Sequence, residues 1–349
     1  MNIGLIGAGS IGAIHARSYA ELGVRLTAVA DPREEAVKAR PELFEGVRYY
    51  ADYRDLVADP EIEAVDICLI NSLHAEVIRE AMRHGKHIFC EKTMTDNATD
   101  SRDLCQRLKA YPQNFQVGYM KRFFPATEKA KELLPEIGDI LTTYVRSYQA
   151  FEWKSDPYDQ VDWKPRGKDV SLVRQFASAG MLNMAGSHMI DVMNLLVGEV
   201  KTVYATNWTP PGYDVEVTSN ALMHMSGGST VHFEAALSPY SRAGLRQDGW
   251  DEKIEINGRR GKLEILYVIW DQPAHYAPLL RFYSEEQKTH TDYTFPKVNA
   301  FTRELEAFLE NCRAGRRSVP GAQEGLAVDL VIDACYRSAA TRSLVELSA

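Results

Sequence analysis

Residues 1–31, MNIGLIGAGSIGAIHARSYAELGVRLTAVAD, decide the fold of this chain. A short apolar run over residues 2–6 is typical of a buried parallel strand, and a second run over residues 24–30 has the same character. The stretch between them, from about residue 11 to residue 22, is amphipathic and predicts a helix. Strand, helix and strand in this order predict a β-α-β unit at the start of a parallel sheet.

The turn between the first strand and the helix carries three glycines at the spacing G-x-G-x-x-G. Gly7 permits the tight turn, Gly9 lets a pyrophosphate approach the backbone, and Gly12 lets the helix pack closely on the strand. The phosphates are expected on the free N–H groups of the helix N-terminus, where Ser10 and Ile11 lie. A glycine-rich turn without function is the alternative, and the strand before it and the helix after it argue against that reading.

The second strand ends on an acidic residue, Asp31, which stands 19 residues after Gly12. In dinucleotide sites an acid at this place accepts hydrogen bonds from the adenosine ribose hydroxyls. A 2′-phosphate there would meet a like charge, so the sequence predicts NAD as the cofactor and makes NADP the less favoured one. Arg33 lies close enough to soften this preference.

Length and charge limit the classes of function. A chain of 349 residues suggests about two domains. The 40 basic and 48 acidic residues give a net charge of −8, which argues against nucleic acid or an anionic membrane as a partner. No apolar stretch reaches bilayer length and Met1 leads straight into a strand, so we expect neither signal peptide nor membrane anchor, and a cytoplasmic location. Cys68 and Cys90 lie in strand-like runs, which predicts buried, unreactive thiols.

Apolar runs and helical patterns continue to alternate after residue 31. Strands are predicted over residues 64–70, 86–90 and 115–118, and helices over about 74–84 and 95–109. This alternation predicts a parallel sheet with helices on both faces. Ligands of such sheets bind beyond the carboxyl ends of the strands, so three strand ends are candidate site segments: residues 71–74, 91–93 and 119–122.

The pair Glu91-Lys92 is the most informative of these strand ends. If Lys92 faces the nicotinamide, its amine could take the proton from a substrate hydroxyl while hydride leaves the same carbon. The alternative is a solvated lysine paired with Glu91. For His74, a polar contact at the start of a helix is as good an interpretation as a ligand role.

Several motifs together resemble the glucose–fructose oxidoreductase/inositol dehydrogenase (Gfo/Idh/MocA) family. They are GLIGAGSIGAIHARSYA, the acid in VADP, NSLHAEVIREAMRHGKHIFCEK and the later GSHMID. The resemblance is close over the first 122 residues and looser to about residue 200. It implies an N-terminal Rossmann domain, here residues 1–122, and a C-terminal α+β domain over residues 123–349 for substrate binding and oligomerisation.

The resemblance also implies roles for individual residues. Lys92 would be catalytic, between nicotinamide and substrate, and His188 would assist it by polarising or protonating the substrate oxygen. The residues that match Asn71, His74 and Glu91 line the nicotinamide-ribose side of the cofactor.

Two positions depart from the family pattern. The family motif is normally E-K-P, and Thr93 replaces its proline, which returns a backbone N–H and frees φ beside the lysine. The family usually has an aspartate four residues before the histidine, and Met184 stands there. Asn183, just before it, could still orient a substrate hydroxyl.

The second half of the chain reads as strands with closing helices. Helices are predicted over about residues 125–134, through 186–196, and over 300–312 and 323–340; strands are predicted over 140–148, 200–207, 215–224, 229–237, 252–257 and 261–265. These form an open, mainly antiparallel sheet with one face covered by helices. The other face is free to pair with a second subunit, which predicts a homodimer or homotetramer. His224 and His232 have no nearby carboxylate, so no metal site is expected.

The predicted fold class is therefore α/β, a doubly wound parallel sheet followed by an α+β domain. Substrate contacts are expected from Tyr119, Lys121, Asn183 and Trp163, the last in an aromatic and polar stretch over residues 149–168. That stretch suits carbohydrate rings, and packing onto a neighbouring subunit explains it equally well.

The leading hypothesis for function is an NAD-dependent oxidoreductase acting on a secondary hydroxyl of a sugar or cyclic polyol. The alternative is an NAD-dependent redox-cycling glycosidase, which oxidises a glycoside, eliminates the aglycone and returns the hydride. The missing aspartate and the basic residues Lys121, Lys154 and Arg166, which could hold an anionic sugar, favour it. A non-catalytic sensor of NAD or a metabolite is a third hypothesis, and the presence of Lys92 and His188 argues against it.

Overall fold

A computed structural model describes residues 1–149, 180–210, 215–237, 240, 242–269 and 276–347. The chain divides into two compact units. The first unit comprises Met1–Met120 and Asn299–Asp329, and the second comprises Lys121–Val298 and Leu330–Ala349. The predicted Trp163 contact, with the rest of the aromatic stretch after residue 149, lies outside the described residues.

The first unit contains a six-stranded sheet in the order β3-β2-β1-β4-β5-β6. Its strands are β1 Ile3–Ile6, β2 Ala28–Ala30, β3 Arg48–Tyr50, β4 Ala64–Ile67, β5 His87–Glu91 and β6 Phe115–Gly118. Neighbouring strands all run parallel. The strand order reverses beside β1, which is the topology of a doubly wound Rossmann sheet. The predicted fold of the N-terminal part is confirmed.

Six helices flank this sheet, and side chains of Asp52 and Asn97 cap two of them. They are α1 Ser10–Glu21, α2 Glu34–Lys38, α3 Pro41–Phe44, α4 Tyr53–Ala58, α5 Asn71–Arg83 and α6 Ala98–Lys109. The helix α6 starts three residues later than predicted because the side chain of Asn97 accepts a hydrogen bond from the N–H of Asp100 and so caps it.

The chain returns to the first unit near its C-terminus. The amphipathic helix α9, Ala300–Ala314, buries Leu305, Phe308 and Leu309 in one cluster with Leu5 and Tyr19. This return is not readable from periodicity, since an apolar helical stripe does not say which domain it covers. The domain boundary at residue 122 stays a prediction for the start of the second unit.

The second unit is built on a nine-stranded sheet in the order β14-β13-β12-β11-β7-β10-β9-β8-β15. Its strands are β7 Ile140–Gln149, β8 Val200–Trp208, β9 Thr218–Met225, β10 Thr230–Leu237, β11 Trp250–Gly258, β12 Gly261–Leu266, β13 Leu279–Ser284, β14 Thr289–Tyr293 and β15 Val345–Glu346. The pair β7–β10 is parallel and the other pairs are antiparallel. A mainly antiparallel sheet was predicted and is confirmed.

Helices α7, Pro125–Ile137, and α8, Ser187–Val197, pack on one face of this sheet. A π-helical turn, Leu182–Gly186, leads into α8, and the long helix α10, Ala322–Thr341, precedes β15. Along the strands, buried side chains alternate with exposed ones on the opposite face, which is uncovered as far as the described helices are concerned. In the described part of the chain, none of the helices is long and apolar enough to cross a membrane.

All five cysteines are buried free thiols, as predicted for Cys68 and Cys90. Burial raises the pKa of each thiol, to about 11 for Cys312 and about 12 for Cys335. A thiol with a raised pKa carries little thiolate near neutral pH, so these cysteines are poor nucleophiles.

Candidate active site

The glycine-rich turn has the geometry that its spacing predicts. Gly7 has φ +100°, and a Cβ there would lie 2.4 Å from the carbonyl oxygen of Cys68. A Cβ on Gly12 would lie 1.9 Å from the carbonyl oxygen of Gly7, so the helix packs against the turn as closely as a glycine allows. Among the described residues, a Cβ on Gly9 would meet nothing within 4 Å, which leaves the backbone open to a ligand.

The N-terminus of α1 fits a pyrophosphate. Gly9 is the N-cap residue, no side chain caps the helix within the described residues, and its first turn carries no acidic residue. The amides of this turn, which include those of Ser10 and Ile11, therefore keep their positive dipole end for an anion. The residues present fit the phosphates of a dinucleotide.

Asp31 lies at the end of β2 and is buried beside the same turn. Its carboxylate accepts hydrogen bonds from the N–H of Ala8 at 2.9 Å and from the N–H of Arg33 at 2.9 Å. Burial would raise the pKa of Asp31, but the hydrogen bonds and charge of Arg33 outweigh it and lower that pKa. The side chain of Arg33 is largely exposed and its Nε lies 3.2 Å from the carboxylate. Asp31 thus stays charged where a ribose is expected.

The segment that carries Lys92 is buried except at the lysine itself. Glu91, Thr93, Met94 and Thr95 are all buried, whereas Lys92 is half-exposed. The carboxylate of Glu91 turns back and accepts the N–H of Lys92 at 3.1 Å. The Lys92–Thr93 peptide bond is cis. Glu91 is therefore placed to hold the backbone of Lys92.

Glu91 belongs to a buried network of ionisable side chains with His15 and Asp66, which the sequence analysis did not predict. His15 of α1 has its Nε2 3.0 Å from Glu91 and its Nδ1 2.9 Å from Asp66 of β4. Burial would lower the pKa of His15, but the charge and hydrogen bond of Asp66 outweigh it and raise that pKa well above its usual value. The signal in the sequence is a polar residue three positions after Gly12, on the buried side of an amphipathic helix.

Asn71 and His74, at the start of α5, both contact the residue after the lysine. Asn71 Nδ2 donates to Thr93 Oγ1 at 2.8 Å, and His74 Nδ1 lies 2.7 Å from the Thr93 carbonyl oxygen. His74 Nε2 lies 3.1 Å from the carbonyl oxygen of Leu69. Burial lowers the pKa of His74, which favours the neutral imidazole. The first unit thus brings together Asn71, His74, Glu91 and Lys92, and their roles toward cofactor and substrate stay predictions.

His188 lies in the first turn of α8 in the second unit and is half-buried. Three residues later, Asp191 receives two hydrogen bonds from Arg122, at 2.7 and 2.6 Å, and this bidentate ion pair is buried. Asn183 and Met184 lie in the π-helical turn just before α8. Such turns occur often at functional sites in helical proteins.

Three of the predicted substrate residues, Tyr119, Lys121 and Asn183, are buried. Tyr119 directly follows β6 and is fully buried. Lys121 is buried in the second unit, where its Nζ lies 2.5 Å from Glu252 and 4.6 Å from the ring centre of Tyr267. Glu252 also accepts hydrogen bonds from Ser147, Gln149 and Trp250. This buried ion pair favours a structural role for Lys121, and its contact with substrate stays a prediction.

Family models match both parts of the chain. Residues 1–119 match the oxidoreductase family model GFO_IDH_MocA, NAD-binding Rossmann fold, and residues 131–347 match the model of its C-terminal alpha/beta domain.

Named relatives include sugar and polyol dehydrogenases. A levoglucosan dehydrogenase of Pseudarthrobacter phenanthrenivorans is 32% identical over 228 residues, which are 60% of this chain and 55% of that protein. A myo-inositol 2-dehydrogenase of Thermotoga maritima is 24% identical over 99% of this chain and 98% of its own length. The solved structure of a levoglucosan dehydrogenase in complex with NADH and levoglucosan is similar in fold, with a TM-score of 0.82 and 24% identity over 100% of this chain and 99% of that one.

Proposed function

Because the chain belongs to the Gfo/Idh/MocA oxidoreductase family, whose N-terminal domain binds NAD, we propose that it is an NAD-dependent dehydrogenase of a sugar or cyclic polyol. The proposed reaction moves a hydride between nicotinamide and a carbon that bears a secondary hydroxyl. Relatives named levoglucosan dehydrogenase and inositol 2-dehydrogenase support this substrate class.

One observation carries the proposal for the catalytic base. Lys92 is the half-exposed residue in a segment that is otherwise buried and hydrogen-bonded, at the carboxyl end of β5. This edge of a doubly wound sheet is where ligands bind. A lysine held in this way can present its amine to a ligand while its backbone stays fixed by Glu91.

The proton and the hydride leave the substrate by different routes. The neutral amine of Lys92 takes the hydroxyl proton, and the C–H bond of the same carbon breaks as the C=O bond forms. NAD, when bound, supplies the acceptor for the hydride. The turn Gly7–Gly12 would hold its phosphates, and Asp31 would hold its adenosine ribose. Asn71 and His74 would line its nicotinamide-ribose side, next to Lys92.

His188 is proposed to assist by a hydrogen bond to the reacting oxygen. The ion pair between Arg122 and Asp191 anchors α8, so the helix that carries His188 has a fixed position within its unit. Met184 offers no carboxylate beside it, and the amide of Asn183 is proposed to orient a substrate hydroxyl instead.

The test mixes near-stoichiometric enzyme with NAD and a panel of free sugars, inositols and aryl glycosides, and follows NADH absorbance and aglycone release together. We expect NADH to accumulate with one sugar or polyol. Lys92→Met should lower kcat by about 10²-fold or more because it removes a general base, whereas Lys109→Met, on the exposed end of α6, should leave it unchanged.

Other outcomes would contradict the proposal. Repeated aglycone release without net NADH would establish the redox-cycling glycosidase in its place. Tight NAD binding with no reaction in either channel would indicate a sensor. Full activity of Lys92→Met would remove the lysine from the mechanism.

The proposal extends to assembly and location. We propose a homo-oligomer that pairs through the uncovered sheet face of the second unit, and a cytoplasmic enzyme. Five buried free thiols are consistent with a reducing compartment.

A further inference from the structure

Thr93, which stands where the related motif has proline, is embedded in hydrogen bonds beside Lys92. Its side chain is fully buried. Its Oγ1 accepts a hydrogen bond from Asn71 Nδ2 at 2.8 Å and donates one to the carbonyl oxygen of Thr95 at 2.8 Å. Its own carbonyl oxygen lies 2.7 Å from His74 Nδ1. The hydroxyl is thus both an acceptor and a donor at the centre of the segment.

Two partners of Thr93 belong to helix α5. Asn71 is the first residue of α5, and His74 lies in the first turn of the same helix. The hydroxyl and the carbonyl of Thr93 therefore attach the residue after the lysine to α5 at two points.

The far side of the segment is anchored as well. The N–H of Thr95 donates to Asp329 Oδ2 at 3.1 Å, and Ser101 Oγ donates to the same oxygen at 2.6 Å. Glu91 holds the N–H of Lys92 on the near side. Lys92 and Thr95, the two ends of this segment, are thus held by Glu91 and Asp329. The hydrogen bonds of the Thr93 hydroxyl hold the part that lies between them.

We propose that Thr93 is a positioning residue whose hydroxyl, paired with Asn71, fixes the direction of the Lys92 side chain. A proline at this position would supply neither the acceptor for Asn71 nor the donor for Thr95, so its ring can fix the backbone only through φ. In this chain the two hydrogen bonds of the Thr93 hydroxyl, with Asn71 and with Thr95, fix the backbone instead. The inference rests on the proposed dehydrogenase function, since it names a residue that serves its base.

The competing explanation is that Thr93 only fills space. Three variants separate the explanations. Threonine and valine have nearly the same shape and differ in the hydroxyl. Serine keeps the hydroxyl but lacks the methyl group, and alanine lacks both. Packing predicts that valine resembles threonine and that serine and alanine both differ from it, whereas positioning predicts that serine alone resembles threonine.

The experiment measures kcat, the substrate KM and the NAD dissociation constant for Thr93→Val, Thr93→Ser and Thr93→Ala. We expect Thr93→Val to lower kcat by about 10- to 100-fold, as a displacement of order 1 Å does. We expect the KM and the NAD dissociation constant to stay within about threefold of the wild-type values, because the hydroxyl is not proposed to contact substrate or NAD. Thr93→Ser should retain kcat within about threefold. If the valine variant fails to fold, the serine and alanine variants make the same comparison.

A second readout does not depend on turnover. Hydrogen–deuterium exchange of a peptide spanning residues 91–97 should speed up in Thr93→Val and Thr93→Ala and stay near wild type in Thr93→Ser. Unchanged exchange in all variants, or equal kcat in the valine variant and wild type, would overturn the positioning role. If the wild-type enzyme oxidises nothing in the substrate panel, the proposed function fails while the exchange rates still decide whether Thr93 holds the segment.

Discussion

His15 lies buried between Asp66 on one side and Glu91 on the other, and its raised pKa favours the charged imidazolium. Removing one member of a buried ion pair leaves an uncompensated charge and costs about 3–5 kcal/mol. We therefore expect His15→Gln to lower the free energy of unfolding by about that amount at pH 6, measured by urea denaturation. The matched control is His84→Gln, whose ring is half-exposed beside Glu80 and should cost less than about 0.5 kcal/mol.

The same residue predicts a pH dependence. The pKa of His15 is raised in the folded protein, so its stabilisation is fully present below the unfolded pKa of about 6.5 and is lost as the pH rises through the folded value. The difference between wild type and His15→Gln should thus shrink on going from pH 6 to strongly alkaline pH. A difference that stays constant, or grows, with pH would show that His15 is not charged in the native state.

We propose that Asp31 and Arg33 determine the choice between NAD and NADP. Asp31→Ser removes a negative charge that would repel a 2′-phosphate and leaves Arg33 to meet it. We expect the ratio of kcat/KM for NADP to that for NAD to rise by about tenfold or more, because an ionic contact of about 1.4 kcal/mol corresponds to that factor. Asp31→Ser combined with Arg33→Gln should lose most of the gain. An unchanged ratio in Asp31→Ser would show that the ribose lies elsewhere.

At the scale of the element, the π-helical turn before α8 depends on a buried acid. Glu216 accepts the N–H of Leu182 at 2.8 Å and the hydroxyl of Tyr336 at 3.0 Å. Glu216→Ala leaves these donors without that acceptor, and we expect it to lower the free energy of unfolding by about 1–3 kcal/mol.

Glu216→Gln, in contrast to Glu216→Ala, should raise the free energy of unfolding at neutral pH. Burial raises the pKa of Glu216, so the native state resists its ionisation and loses stability as the pH rises from the unfolded value of about 4.3 through the folded one. Glutamine keeps an acceptor for Leu182 without a charge. Relative to wild type, the free energy of unfolding of Glu216→Gln should therefore increase between pH 4 and pH 8, and a decrease over that range would contradict the raised pKa.

Elements with strong local signals were predictable. The longer helices α1, α5 and α6 and the buried strands of the first unit follow from amphipathic stretches and continuous apolar runs, and the glycine spacing located the turn. The short helices α2, α3 and α4 were not predicted. The short strand Arg48–Tyr50 was missed because its residues are only partly buried and give no apolar run. The π-helical turn has no distinctive residue pattern, and its register depends on Glu216, which is distant in sequence.

Some site residues were predictable from their position in the chain, and others were not because they depend on partners that are distant in sequence. Lys92, Asn71 and His74 stand at strand and helix ends, where a doubly wound sheet collects ligands, so position pointed to them. His15 and Thr93 act through partners 51 and 22 residues away, and a single sequence carries no signal of such pairs. Lys121 looked like a ligand for an anionic group because its partner Glu252 is 131 residues distant.

At the scale of the whole molecule, the uncovered face of the second unit presents an exposed row across five strands. Glu255, Tyr144, His232, Leu222 and Tyr204 are cross-strand neighbours in that order, from β11 to β8. Tyr144 stacks on His232 with ring centres 4.9 Å apart. An open groove of about 750 Å³ runs along this row. Exposed apolar patches of this kind mark protein–protein contact sites.

A two-fold axis through this face would place the row of one subunit on the row of the other. Leu222 is 39% exposed near the middle of the row, so a charge there would be desolvated in each of two symmetric copies. We expect the wild type to sediment as a dimer or tetramer at micromolar concentration and Leu222→Glu to shift it to a smaller species. Leu344→Glu is the matched control, because Leu344 is 57% exposed but does not line this groove, and it should leave the mass unchanged. A wild type that sediments as a monomer, or a Leu222→Glu variant of unchanged mass, would show that another surface covers this sheet or that none does.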